Sequence, residues 1–228
     1  MRRIAPIQLD QWRFVQLSIT FVVLMMLLPV LEHHLVLKTV VSLFLLNTML
    51  VAISTHAGRI VRVVLWSLWG VTLVTGILDE LAIPRLDLIS VRLVTVSALL
   101  GMVAICCSRI LRVVFNAEQI TLDSIFGSIV AYQLIGLFFS GIYTLLVLVD
   151  PTSFLGSGIP KALPGVVETD MVYFSFVTLA TLGYGDIVPL SSLARSIAVT
   201  EALIGQFYVA VVVALLIGAY LSRRQGAG

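Results

Sequence analysis

The residues of this 228-residue chain best placed to do chemistry offer bare backbone. In "TLATLGYGDIVP" (178–189), Gly183 and Gly185 alternate with Leu182 and Tyr184, and Asp186 closes the run between two apolar stretches. Glycine has no Cβ and takes positive φ readily, so alternate residues can reverse hand and turn successive carbonyls the same way. A dehydrated cation needs such oxygens in place of its water shell. The stretch from Thr181 to Gly185, fully extended, reaches roughly 16 Å. One chain offers a single row of oxygens, so a closed ring requires several chains around an axis.

The rest of the chain says where this backbone lies. It is 60% hydrophobic and 11% charged, with a mean hydropathy of +1.11. Soluble domains carry about 25% charged residues. Composition therefore excludes a soluble domain and points to membrane helices. The net charge of +2 is small, and no nucleic-acid partner is expected. Cys106 and Cys107 are adjacent in an apolar run, where neighbours diverge around a helix, so they read as small apolar fillers and not as a disulfide. The first apolar run follows Arg2, Arg3 and Arg13 but is too long for a signal peptide, so it is expected to be a retained span.

Apolar segments at 14–31, 35–54, 63–78, 88–107, 124–149 and 193–221 each approach the roughly 20 residues that cross a bilayer as helix. An all-α integral membrane fold of six spans follows, with both termini on one side. Arg2, Arg3, Arg13, Arg59, Arg62, Arg109, Arg112, Arg223 and Arg224 then share that side, and the positive-inside rule makes it cytoplasmic. This places "GYGD" at the outer mouth. Residues 1–120 read as a four-span membrane domain and 121–228 as a second domain. Between them, "SRILRVVFNAEQ" (108–119) reads either as an interfacial linker helix or as an extension of the fourth span.

The Pro- and Gly-rich 150–170 reads as an outer loop. A helix is expected to begin near Asp170, with Glu168, Thr169 and Asp170 at its N-terminus, and to end at Thr181. The apolar 171–180 covers only about 15 Å as helix, too little to cross, so it is expected to be re-entrant. Irregular backbone at membrane depth survives only where protein buries it or where it lines a watery path.

"TLGYGD" resembles the potassium-channel signature, and "YFSFVTLATLGYGDIVP" resembles that family's pore helix, filter and outer mouth. The resemblance runs from about Ile120 to Ser222 and looks most like the two-span pore module of bacterial six-span channels. It implies passive K+ conduction through a homotetramer in the cell membrane, with K+ as permeant ion and no cofactor. It implies that Thr181, Leu182, Gly183 and Tyr184 present carbonyls to K+, with Gly185 closing the outer end and Asp186 anchoring the mouth. Tyr184 would pack on Tyr173, Phe174 or Phe176. The sequence departs from the family at Ala180, where threonine is usual, at Tyr173 and Phe174, where tryptophans are common, and at Leu182.

In the last span Glu201 should lie behind the filter, accepting from Thr178, Ser175 or Tyr173, as a brace or with a part in gating. Gly205 falls at the family's hinge position. Gln206 would face the cavity, and Val209, Val213 and Ile217, four apart, suit either a hydrophobic gate or helix packing. A voltage sensor needs arginines at every third residue of a span, and the fourth span has only Arg92 near its outer end, so voltage sensing is not expected. His33 and His34 read as solvated loop residues, and His56 lies on the opposite side, so no three-histidine metal site forms. Regulation is assigned to the membrane, to ions or to a separate subunit. The alternatives are a weakly selective cation channel, through Ala180, and a subunit of a potassium uptake transporter. No enzyme is expected, because no serine and histidine meet at membrane depth.

Overall fold

The computed structural model describes residues 12–27, 34–54, 58–81, 87–116, 121–156 and 166–226. His33, His56, Arg85 and Lys161 lie outside them. Helices dominate: α1 (Arg13–Leu27), α2 (His34–Ser54), α3 (Arg59–Glu80), α4 (Leu88–Phe115), α5 (Leu122–Val149), α6 (Val166–Leu179), α7 (Ser192–Phe207) and α8 (Ala214–Gly226). A π-helical turn, Tyr208–Val213, joins α7 to α8. Among the described residues, four helical segments are long and apolar enough to cross a membrane: 59–79, 88–115, 122–149 and 192–222. The helix α1 is 15 residues long and α2 is 21.

The centre is α5, apolar on nearly every side and therefore built to be surrounded. Thr121 and Ser124 form its capping box. Its buried residues, among them Val130, Ala131, Leu134, Phe139 and Tyr143, meet α1, α4 and α6. On α1 the buried Phe14, Leu17, Phe21 and Leu24 recur at helical spacing and supply its inner face. The Phe14 N–H donates to the Asp123 carboxylate at 3.1 Å, so α1 and α5 begin at the same end of the molecule. Two helices that run the same way are separated by an odd number of crossings. At the other end of α4, Asp87 caps the helix by accepting from Ile89 N–H, and Arg92 pairs with Asp79 at 2.9 Å. The helix α4 runs unbroken to Phe115, so Arg109 and Arg112 sit on its last turns.

Two short strands pair beside α6, where Phe154 packs on Phe174. After α5, a 3-10 turn (Pro151–Ser153) capped by Asp150 leads into β1 (Phe154–Gly156), which pairs antiparallel with β2 (Ile187–Pro189). Gly156 faces Ile187, and the Ser153 carbonyl accepts from the Leu190 and Ser191 N–H groups. The chain therefore leaves the level of β1, runs along α6, and returns to the same level at β2.

Where α7 passes the far end of α6 the contact is backbone to backbone. A Cβ on Gly205 would fall inside contact distance of the Leu179 carbonyl oxygen, whereas one on Gly218 in α8 would meet nothing within 4 Å. Backbone cannot step aside as a flexible side chain can. Gly205→Ala is expected to cost about 1–3 kcal/mol, and Gly218→Ala, which gains helix propensity without a clash, nothing. Thermal unfolding of the two variants in detergent, compared with the parent, checks this.

Candidate functional site

The helix α6 starts at Val166, four residues before the start expected near Asp170, so Glu168, Thr169 and Asp170 fall inside it. It ends at Leu179 instead of Thr181. Thr181 N–H donates to the Thr178 carbonyl and Leu182 N–H to the Val177 carbonyl, both at 2.9 Å. This pair of bonds is the Schellman closure, whose extra-helical residue is left-handed and usually glycine. Here Thr181 holds it at φ 57°. A β-branched residue at positive φ stores strain of order 1–3 kcal/mol.

The reversal is then repeated. Gly183 has φ 57° and Gly185 φ 79°, while Leu182 and Tyr184 between them stay negative. Alternation of hand sends carbonyl oxygens to one side of a strip of backbone and N–H groups to the other. Added Cβ atoms would meet nothing within 4 Å at either glycine, so it is the dihedral angle that demands glycine there. All residues from 180 to 186 are exposed, Leu182 at 58% and Tyr184 at 68%. The strip therefore lies on an open face of the chain.

Behind it, the Tyr173 hydroxyl donates to Asp186 Oδ2 at 2.6 Å, and the Ile187 N–H donates to Oδ1 at 3.1 Å. The Tyr173 hydroxyl bond is the main cause holding the Asp186 carboxyl below its ordinary value of 3.8. Within one chain, Phe174 and Phe176 make no ring contact with Tyr184. Phe174 packs edge-on against Tyr143 and Phe154, with centroids 5.0 and 5.3 Å away, and Phe176 lies over Gly136 of α5 and beside Phe21. The aromatic packing expected around the strip instead glues α6 to α5.

Glu201 is fully buried between α5, α6 and α7. Tyr143 donates to its Oε2 at 2.6 Å, and the Ser175 hydroxyl meets its Oε1. Of the alternative partners read from sequence, Thr178, Ser175 or Tyr173, the structure places Ser175 on Glu201; Tyr173 bonds Asp186, and Thr178 contributes its carbonyl to the helix end. The Ser175 hydroxyl also lies 2.7 Å from the Gly136 carbonyl. One hydroxyl hydrogen cannot serve two acceptors. Both contacts are satisfied together when the Glu201 carboxyl supplies a hydrogen to Ser175, as the Nε2 of a glutamine would.

Further along α7, Gly205 is packed against Leu179 and Gln206 is exposed. Val209, Val213 and Ile217 do not form one open stripe. Val209 and Ile217 are exposed, while Val213 is half-buried against the core, because the π-helical turn changes the residues per turn midway through the series.

Sequence reasoning missed the tyrosines of α5 and the ribbon β1–β2. Tyr132 donates to the Leu179 carbonyl at 3.1 Å, sealing the end of α6, and Tyr208 donates to the Ser128 carbonyl at 2.8 Å. Tyr132, Gly136 and Tyr143 lie four and seven residues apart, one face of a helix, and polar groups on one face of an apolar span are the signal that could have revealed them.

Residues 164–222, which contain α6, the exposed strip and the whole of α7, match a family model described as an ion channel. Over 61 residues the chain is 41% identical to the inward rectifier potassium channel Kirbac3.1 of Paramagnetospirillum magnetotacticum, an overlap of 27% of this chain and 20% of that protein. The chain thus spans about a fifth of the length of that curated relative. No solved structure matches this chain. Both similarities point to a channel domain and not to an enzyme. Together with the long apolar helices, the channel domain makes this a multi-pass membrane protein.

Two outcomes test this arrangement. Glu201→Gln is expected to keep the melting temperature within a few degrees, whereas Glu201→Ala strands the Tyr143 and Ser175 hydroxyls and costs about 2–4 kcal/mol; a glutamine variant as unstable as the alanine variant would refute the hydrogen count. A carboxyl held below its ordinary value contributes stability above that value and loses it as pH falls through the lowered one. In Tyr173→Phe the Asp186 titration, followed by carbon-13 NMR of the labelled carboxyl, is therefore expected to move up toward 3.8.

Proposed function

We propose that the chain is a potassium-selective channel, conducting passively through a filter that four copies build from Thr181, Leu182, Gly183, Tyr184 and Gly185. The observation that carries this reading is the alternation of left-handed residues at 181, 183 and 185 immediately past the end of α6. Four such strips facing an axis give successive rings of carbonyl oxygens, which replace the hydration shell of K+. The α6 C-terminus, the negative end of its dipole, favours a cation beneath them. The exposure of residues 180–186 supports several copies, because backbone left unpaired at membrane depth costs several kcal/mol per group.

In this reading the chain crosses the cell membrane six times with both termini in the cytoplasm, and α6 with the strip forms the re-entrant element. The common starting end of α1 and α5 supports an odd number of crossings between them, as α2, α3 and α4 would make. Asp186, tied to Tyr173, sits at the outer mouth, and Tyr173, Phe174, Thr178 and Glu201 hold the strip from behind. Gating falls to α7 and α8. The π-helical turn Tyr208–Val213 breaks the regular hydrogen-bond ladder just beyond Gly205 and Gln206, and such turns recur at functional sites. A weakly selective cation channel is the second reading, and Ala180 favours it by withholding a hydroxyl at the inner end of the strip.

Purified protein in liposomes decides between them. Flux driven by a potassium gradient is expected to exceed flux under an equal sodium gradient at least tenfold, and Gly183→Ala, forced to hold an alanine at positive φ, is expected to abolish it. Equal fluxes would favour the weakly selective reading, and flux unchanged in Gly183→Ala would remove the strip from the conduction path.

A further inference from the structure

The last turn of a helix leaves four carbonyls without a partner inside the helix. In α6 these belong to Phe176, Val177, Thr178 and Leu179. The first three accept from the N–H groups of Ala180, Leu182 and Thr181, all supplied by the chain that follows. Among the described residues no N–H serves Leu179, and at 1% exposure water does not serve it either. Its donor comes from another helix: the Tyr132 hydroxyl of α5, at 3.1 Å. Tyr132 is itself held, with its ring 5.5 Å from that of Tyr208, whose hydroxyl donates to the Ser128 carbonyl one turn back on α5. On α7 the backbone of Gly205 stands so close to the Leu179 oxygen that the carbonyl cannot swing that way. The peptide unit joining Leu179 to Ala180 is therefore fixed at both polar atoms, its oxygen by Tyr132 and its N–H by the Phe176 carbonyl. One residue further on stands Thr181, left-handed at φ 57°. A β-branched residue keeps that conformation only where its surroundings leave it no other.

We propose that Tyr132 is a positioning residue for ion selection: by holding the Leu179 carbonyl it keeps Thr181 left-handed and so fixes the innermost ring of oxygens. This rests on the filter reading given above. Tyr132 touches no ion and acts only through the backbone of α6. Without its hydroxyl, the buried Leu179 carbonyl regains a donor only by turning, and the peptide unit turns with it. Thr181 then relaxes toward negative φ and its carbonyl leaves the ring. That changes both the width of the ring and the number of its oxygens, the two quantities from which selection of K+ over Na+ is argued. The same turn pulls on the Thr181 and Leu182 N–H bonds that close the end of α6.

The test compares the full chain with Tyr132→Phe, which removes one oxygen and keeps the ring, and with Val130→Ala, which opens a gap in the buried core of α5 away from Leu179. Each is reconstituted in liposomes for potassium and sodium flux, and amide exchange of residues 180–182 is followed in the same preparations. Tyr132→Phe is expected to lower the ratio of potassium to sodium flux about fivefold, the factor that one lost hydrogen bond supplies, and to speed exchange at the Thr181 and Leu182 N–H groups. Val130→Ala is expected to lower the melting temperature at least as much while leaving the flux ratio and that exchange at parent values. An unchanged ratio in Tyr132→Phe overturns the proposal, and so does an equal fall in Val130→Ala, which would make loss of selection a general effect of a loosened core. Faster exchange in Tyr132→Phe from a parent that passes no ions would leave the hold on Thr181 standing and the channel reading fallen.

Discussion

The constraint on which the molecule depends is the need to hold a strip of backbone without regular structure in place beyond the end of α6. Carbonyls that face away from any helical or sheet partner are costly wherever water is absent, and residues 180–186 make no ladder of their own. Every neighbouring feature offsets that cost or fixes the strip in place. The Schellman closure stops α6 cleanly, Tyr132 occupies the Leu179 carbonyl, and Asp186 is tied back to Tyr173. The left-handed threonine is the strained member of the series. It persists because the helix end on one side and two glycines on the other leave it little alternative.

A second level of support lies further from the strip and is made of packing. On one side Phe174, Tyr143 and Phe154 stack edge to face, and on the other Phe176 lies over Gly136, so α6 is seated on α5 by aromatic rings above and below the buried Glu201. Glu201 joins three helices through two hydroxyls. In an environment of low dielectric such a small polar network is stable only when each member is satisfied, which is why the count of hydrogens around Ser175 bears on the whole α5–α6–α7 junction.

Much of this was legible in the sequence, and the reasons differ by element. The spans at 88–107 and 124–149 are long, apolar and bounded by charge, so composition alone located α4 and α5. The strip was legible because glycine at alternate positions marks backbone that must reverse hand at every second residue. Ser175 was within reach of Glu201 by simple helix arithmetic. Tyr173 was misassigned because helical spacing says which residues share a turn and not where a long side chain ends; its hydroxyl reaches Asp186, thirteen residues on. The start of α6 was placed late because the prolines of the preceding loop dominate the local signal. Strands of three residues, β1 and β2, leave almost no periodicity to detect. The irregular turn at Tyr208–Val213 was invisible for a different reason: a run of valines and alanines carries no mark of how many residues make each turn.

The ribbon of β1 and β2 has a mechanical consequence. By fixing Gly156 opposite Ile187 it closes the chain from 157 to 186 into a loop whose two ends cannot move apart. Within that loop α6 is anchored separately, on α5. A pull on either strand is borne by the paired backbone of the ribbon first, and the carbonyl strip, held through α6 by its seat on α5, is shielded from the load.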